Sequence, residues 1–143
     1  MLPSKFANAH MKAAEVYSQL SSARRLQVGC VVVKDNTIIG IGYNGMPSGW
    51  DNNCEDTIQH SDDTVTLKTK PEVLHAETNA LAKIARSTNS SESASIFITH
   101  APCLDCAKLV YQSGIKSVYY RNSYKNTDGL DFLNKCNVEV TMI

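Results

Sequence analysis

The chain has 143 residues, 43% of them hydrophobic, and 14 lysines and arginines balance 14 aspartates and glutamates. That length fits one domain, 1–143, with no linker. No apolar run approaches the roughly 18 residues of a membrane helix, the opening MLPSKFANAH does not read as a secretory signal, and the neutral charge argues against a nucleic-acid partner.

In chain order, Phe6, Ala9, Ala13, Val16, Tyr17 and Leu20 fall near helical spacing and predict an amphipathic helix over 5–23, with Lys5, Lys12, Glu15 and Gln19 outward. His10 reads as packing on that helix. QVGCVVVK and TIIGIGY, on either side of Asp35-Asn36, predict a β-hairpin. From Asn44 to about Lys70 the chain is polar and aperiodic, which predicts a long functional or mobile loop closed by Pro71. VLHAETNALAKIAR predicts a helix over about 75–86, ended by STNSSES, and ASIFIT a buried strand. APCLDCAKLVYQSG predicts a helix with Pro102 in its first turn and Gly114 as its stop. IKSVYY, DGLDFLNKCN and VEVTMI complete the chain as strand, short helix and strand. Strands separated by single helices run parallel, so the order predicts a three-layer α/β/α fold. Its sheet is mixed and five-stranded, the hairpin plus parallel strands, with helices on both faces. Ligands in such sheets collect at helix starts near strand ends.

The five cysteines, an odd number without a signal peptide, point to a reducing, cytoplasmic setting rather than a disulfide framework. Cys30 and Cys136 lie in apolar surroundings and read as core thiols. Cys103 and Cys106 form a C-x-x-C at a helix start, which places both sulfurs on one face beside a partial positive charge that favours thiolates. His75 and Glu77 stand two apart, about 200° on a helix, and do not face each other. The spacing makes sense if His75 holds a metal and Glu77 leans over what else the metal holds. Three protein ligands, His75, Cys103 and Cys106, leave a fourth tetrahedral position for water, the layout of a catalytic zinc. Zinc lowers the pKa of that water to roughly 7, and a carboxylate can take the proton and return it. A lone C-x-x-C would also fit a redox pair or a closed structural zinc. The first is expected after a first strand, not a third, and the second needs a fourth ligand that no nearby His or Cys supplies.

His75-Ala76-Glu77 followed by Pro102-Cys103-Leu104-Asp105-Cys106 is similar to the motif of the zinc nucleobase deaminases. Through RRLQVGCVVVKDNTIIGIGYNGMPSG, TKPEVLHAETNAL with its Asn79, and APCLDCAKLVYQSGIKSVYY, the sequence resembles the deoxycytidylate deaminases of the cytidine deaminase-like superfamily. The resemblance implies the cytidine deaminase-like fold and hydrolysis of dCMP to dUMP and ammonia, which supplies dUMP for thymidylate synthesis. Zn2+ is then the cofactor and Glu77 the acid/base that serves N3 and the leaving amine. Backbone at Ala76 and around Ala101-Pro102 positions the ring. Asn44 is a partner for a sugar hydroxyl, or else merely forms an Asn-Gly turn. A monophosphate requires cations or donors: Arg24 and Arg25 first, Tyr124 and Lys125 second, against the alternative of solvated surface charges.

The resemblance further implies a homo-hexamer activated by dCTP and inhibited by dTTP with Mg2+. Gly42, Tyr43, Asn44 and Gly45 with Asp51, Asn52, Asn53 and Glu55 are then the nucleotide site, and Arg86 couples sites across a subunit contact. The alternative is a mobile loop and an ordinary helix-end arginine. Some members carry a second, structural zinc between 50 and 70, but Cys54 and His60 are isolated here and no second metal is expected. The rival readings are a tRNA adenosine deaminase, which shares the motif, and a zinc-stabilised binding module without activity.

Overall fold

The computed structural model describes residues 3–143. Its layers follow from one strand, β1 (Gly29–Lys34), nearly all of which is buried. Successive side chains of a strand point to opposite faces. Cys30 and Val32 therefore meet α2 (Ala76–Ala85), α3 (Leu104–Gln112) and α4 (Asp128–Lys135) through Ala80, Ile84, Val110 and Leu133. Val31 and Val33 meet α1 (Ser4–Ser18) through Ala7, Met11 and Ala14.

Around β1 the sheet adds β2 (Thr37–Tyr43), β5 (Ser95–His100), β6 (Ser117–Asn122) and β7 (Glu139–Met142) in the order β2-β1-β5-β6-β7, beside a separate pair, β3 (Glu55–Gln59) and β4 (Val65–Thr69). β1 runs against both β2 and β5, and β5, β6 and β7 run together. β2 and β5 consequently share a direction, as the α2 crossover between them requires. This is the predicted mixed five-stranded sheet with helices on both faces. Asp35 and Asn36 both take positive φ, 50° and 58°, the backbone of the two-residue turns that match strand twist.

Three expectations are corrected. The first helix stops at Ser18 rather than residue 23, and its buried side is Ala7, Met11 and Ala14, while Val16 and Leu20 are 62% and 58% exposed. The cause is close packing: a Cβ on Gly29 would strike the Ala14 carbonyl and the Ser18 backbone, so small residues face the sheet and larger ones turn outward. After Gln19 the Ser21 hydroxyl donates to Asn44 O at 2.8 Å and accepts from Ala23 N at 3.1 Å, drawing the chain off the helical path.

Within the span 44–70, predicted as loop, residues 55–69 form the β3–β4 hairpin, paired from Glu55↔Thr69 to Gln59↔Val65. Its tip is closed by His60 N to Thr64 O at 2.8 Å. Only Glu55 of these ten strand residues is buried, so no apolar alternation announces the strands. Finally, Pro102 is not in the first helical turn, because Cys103 is the N-cap of α3. His75 likewise caps α2.

α2 lies on the glycines of β2. A Cβ on Gly42 would collide with Ala76 O and stand 2.6 Å from Ala80 N, and one on Gly40 would meet Ile84 Cδ1 at 2.8 Å. Gly42→Ala should therefore cost about 1–3 kcal/mol of stability as α2 is pushed off the sheet. Urea unfolding measures this, and an unchanged midpoint and slope would refute the close approach.

Candidate active site

Two helix starts build the centre. His75 and Cys103 are both extended N-caps, with φ/ψ of −77°/157° and −68°/169°, and Cys106 stands in the first turn of α3. His75 Nδ1 lies 3.2 Å from Cys106 Sγ and 3.6 Å from Cys103 Sγ. The three ligand atoms all fall within 4.8 Å of one another, the one such cluster among the described residues. The donor set fits zinc: tetrahedral Zn–N and Zn–S bonds place nitrogen and sulfur about 3.5 Å apart. Both turns rest on backbone that tolerates no side chain. Gly42 backs Ala76, and a Cβ on Gly129 of α4 would strike Pro102 O and stand 2.9 Å from Cys103 O.

The protons fit as well. Hydrogen bonds from Cys106 and then His75 pull the Cys103 thiol down to about 4, while the bond to Cys103 and burial push the Cys106 thiol up. The two sulfurs thus share one proton, and a cation seated between them takes both as thiolates. The bond to Cys103 raises the His75 imidazole against the opposing effect of burial. Glu77, 4% exposed, has its carboxyl raised chiefly by burial.

Above the centre opens a cleft of about 530 Å3 lined by His75, Ala76, Glu77, Ala101 and Cys103. Among the sequence candidates, Arg25, Asn44, Glu55, Tyr124 and Lys125 share that cleft. The Asn44 amide bridges the approach to β1, accepting from Val28 N at 2.9 Å and donating to Leu26 O at 2.8 Å. Lys125 Nζ sits 5.6 Å from the centre of the Tyr124 ring. Arg24 is not in the cleft lining: its Nε meets Glu55 Oε1 at 3.4 Å and its Nη2 meets Asn53 Oδ1 at 3.1 Å.

The residues assigned to a regulatory nucleotide each make local contacts. Gly42 is covered by α2. Tyr43 O accepts from Asn79 Nδ2 at 2.8 Å, and Gly45 is bridged to Leu74. Asp51 Oδ1 accepts from Asn53 N at 2.7 Å, and Asn52 O accepts from the Cys54 thiol at 3.6 Å. Arg86 is the C-cap of α2, ten residues and roughly 15 Å from the helix start. His60 Nε2 meets Thr66 Oγ1 at 2.8 Å, and His10 packs its ring 5.3 Å from Phe97.

His100 and Asn122, in the cleft lining but not among the sequence candidates, are paired at the ends of β5 and β6. Asn122 Nδ2 donates to Thr99 O at 2.8 Å, and burial lowers the His100 imidazole. The signal for both was available: each is the polar last residue of its strand in the parallel β5–β6 pair, where such sheets collect ligands.

One imidazole and two sulfurs, open on one side to a cleft with a buried carboxylate at its floor, are the layout of a catalytic rather than a structural zinc centre. The chain belongs to the cytidine and deoxycytidylate deaminase zinc-binding region family, whose profile matches residues 4–122. It is 32% identical over 170 aligned positions to the deoxycytidylate deaminase of Enterobacteria phage T4, covering 94% of this chain and 88% of that one. It is 38% identical over 123 to the human deoxycytidylate deaminase, covering 82% and 66%. A solved structure of the dCMP deaminase from cyanophage S-TIM5 in complex with dCMP and dUMP matches with a TM-score of 0.88 and 44% identity, covering 100% of each chain. The chain spans between 58% and 88% of the lengths of three curated relatives it matches. No helix among the described residues is long and apolar enough to cross a membrane.

Two outcomes test this geometry. His75→Ala should lose bound zinc, read as metal per chain, together with stability. Glu55 supplies the second: burial acts to raise its carboxyl, but donors from Arg25 N, Arg24 N and the Arg24 side chain win and hold it below the ordinary range. A depressed carboxylate stabilises the fold above its unfolded pKa and loses that contribution as pH falls through the folded value. Between neutral pH and the acid side of the carboxylate range, wild type should therefore lose more stability than Glu55→Gln. Parallel acid unfolding curves would overturn the assignment.

Proposed function

We propose that the chain hydrolyses dCMP to dUMP and ammonia. The observation that carries this reading is the buried Glu77 carboxyl two residues from His75, inside a cleft whose other walls bear Arg25 and Lys125. The full-length match to a phage dCMP deaminase structure holding dCMP and dUMP supports it.

His75 Nδ1, Cys103 Sγ and Cys106 Sγ would hold the zinc, which when bound lowers the pKa of a coordinated water to roughly 7. Glu77 takes the first proton of the attacking water and passes it to N3 as oxygen bonds to C4. It then takes the second proton and delivers it to the amine as the C4–N bond breaks, leaving a carbonyl and free ammonia. Burial raises the carboxyl toward the pH at which a proton is both accepted and released. Backbone at Ala76 and Ala101 flanks the base. Asn44, whose amide keeps one lone pair and one N–H beyond its two backbone bonds, serves a sugar hydroxyl. Arg25, Tyr124 and Lys125 serve the phosphate, and Arg24 supports the wall behind them.

The reading extends to an intracellular homo-oligomer, a hexamer, with Val16 of α1 and Leu20 just beyond its end as exposed apolar surface for subunit contacts. It extends also to activation by dCTP and inhibition by dTTP with Mg2+, for which the resemblance through Gly42–Pro47 is the support and Asp51, Asn52, Asn53, Glu55 and Arg86 are the further candidate residues.

Glu77→Gln should retain zinc and lose at least ~10²-fold in turnover, since general acid/base work commonly contributes that much. Undiminished turnover in that variant would refute Glu77 as the acid/base, and absence of ammonia release from the zinc-loaded wild type would favour a binding module. Ammonia release should be seen with dCMP above CMP and deoxycytidine, and not with a tRNA stem-loop; release from the stem-loop alone would end the dCMP reading.

A further inference from the structure

At the end of the sheet where β1 finishes and β5 and β6 begin, a second cavity of about 260 Å3 lies on the α1 side. Its floor is made by Ser95 and Ser117, directly paired across β5 and β6 and only 7% and 5% exposed. Both line the cavity, and neither hydroxyl has a protein hydrogen-bond partner among the described residues.

A strand facing the α1 layer fills such positions with apolar groups elsewhere: Phe97 and Tyr119 follow at the next inward positions and stack at 4.5 Å. Each hydroxyl lines the cavity with one donor and two lone pairs unspent on the protein. The rim carries Lys34 and Lys116 against the single carboxylate of Asp35, a net positive field. Lys34 spends one donor on Ser90 O at 3.3 Å and keeps two. Hydroxyls alone would suit many polar ligands, but two ammonium groups around paired hydroxyls select an anion with several acceptor oxygens. The volume lies below the roughly 300–1,000 Å3 of sites that take drug-sized ligands, so it suits an ion or a small headgroup rather than a whole nucleotide.

We infer that this cavity is a second ligand site, distinct from the metal cleft, that binds a phosphoryl group or a comparable tetrahedral oxyanion through Ser95, Ser117, Lys34 and Lys116. The inference does not rest on the dCMP reading, and its test involves no turnover.

The zinc-loaded protein, labelled with 15N, is titrated with inorganic phosphate against sodium chloride of equal ionic strength. Saturable shifts of the Ser95, Lys116 and Ser117 amides are expected with phosphate and not with chloride. Lys34→Gln with Lys116→Gln should weaken that binding at least ~10-fold, and Ser95→Ala with Ser117→Ala should weaken it in a protein whose spectrum is otherwise unchanged. Absent or unsaturable shifts at these amides, equal shifts with chloride, undiminished affinity in both double variants, or shifts confined to the surroundings of Arg25 and Lys125 would each overturn the site.

Discussion

Two sulfurs and an imidazole nitrogen meet within 4.8 Å at the bottom of the cleft, and thiolates so close repel unless a cation lies between them. Holding them there is a matter of backbone placement more than of side-chain contacts. An N-cap residue is extended while its successor is helical, so where the helix starts decides where His75 and Cys103 point. Glycine sets both starts. Gly42 lets the first turn of α2 lie against β2, and Gly129 lets α4 press on the Pro102-Cys103 carbonyls. The two glycines come from elements on opposite sides of the centre, so any Cβ at either would shift one ligand relative to the others. Donor positions then follow from packing within the layer formed by α2, α3 and α4.

The centre was legible in sequence because its chemistry admits few residue types: imidazole, two thiolates and a carboxylate at fixed spacings name the elements that carry them. The sheet was legible because β1 and β5 are buried on both faces and read as apolar runs. The β3–β4 hairpin was not, since nine of its ten strand residues are exposed or partly exposed and their types follow no buried face. α1 misled in the opposite way. Its larger apolar residues form a convincing helical stripe, but the sheet approaches so closely at Gly29 that alanines and one methionine take the contact. Periodicity reports which residues are apolar; it does not report the interaxial distance that decides which of them fit.

Arg24 and Arg25 show the same limit at the scale of one residue. Adjacent in sequence and alike in charge, they part because Glu55, thirty residues on, is buried between them. One oxygen of its carboxylate accepts both backbone amides, at 2.9 and 3.0 Å, and the other meets the Arg24 guanidinium. A buried carboxylate without such donors would be strongly destabilising, so Glu55 holds the 24–25 turn in one conformation. In that conformation Arg25 reaches across to Thr69 of β4, 3.0 Å from its Nη1, and lines the cleft. The hairpin with no apolar face of its own thereby becomes a wall of the site. It is fastened by charge and hydrogen bonds, and it leaves one guanidinium free of a carboxylate on the side where a substrate phosphate is proposed to bind. The division has an electrostatic logic: a cleft carrying both arginines would hold an anionic product as tightly as its substrate, since both bear the same phosphate, whereas neutralising one of them within the wall keeps the orienting cation and lowers the field that slows release.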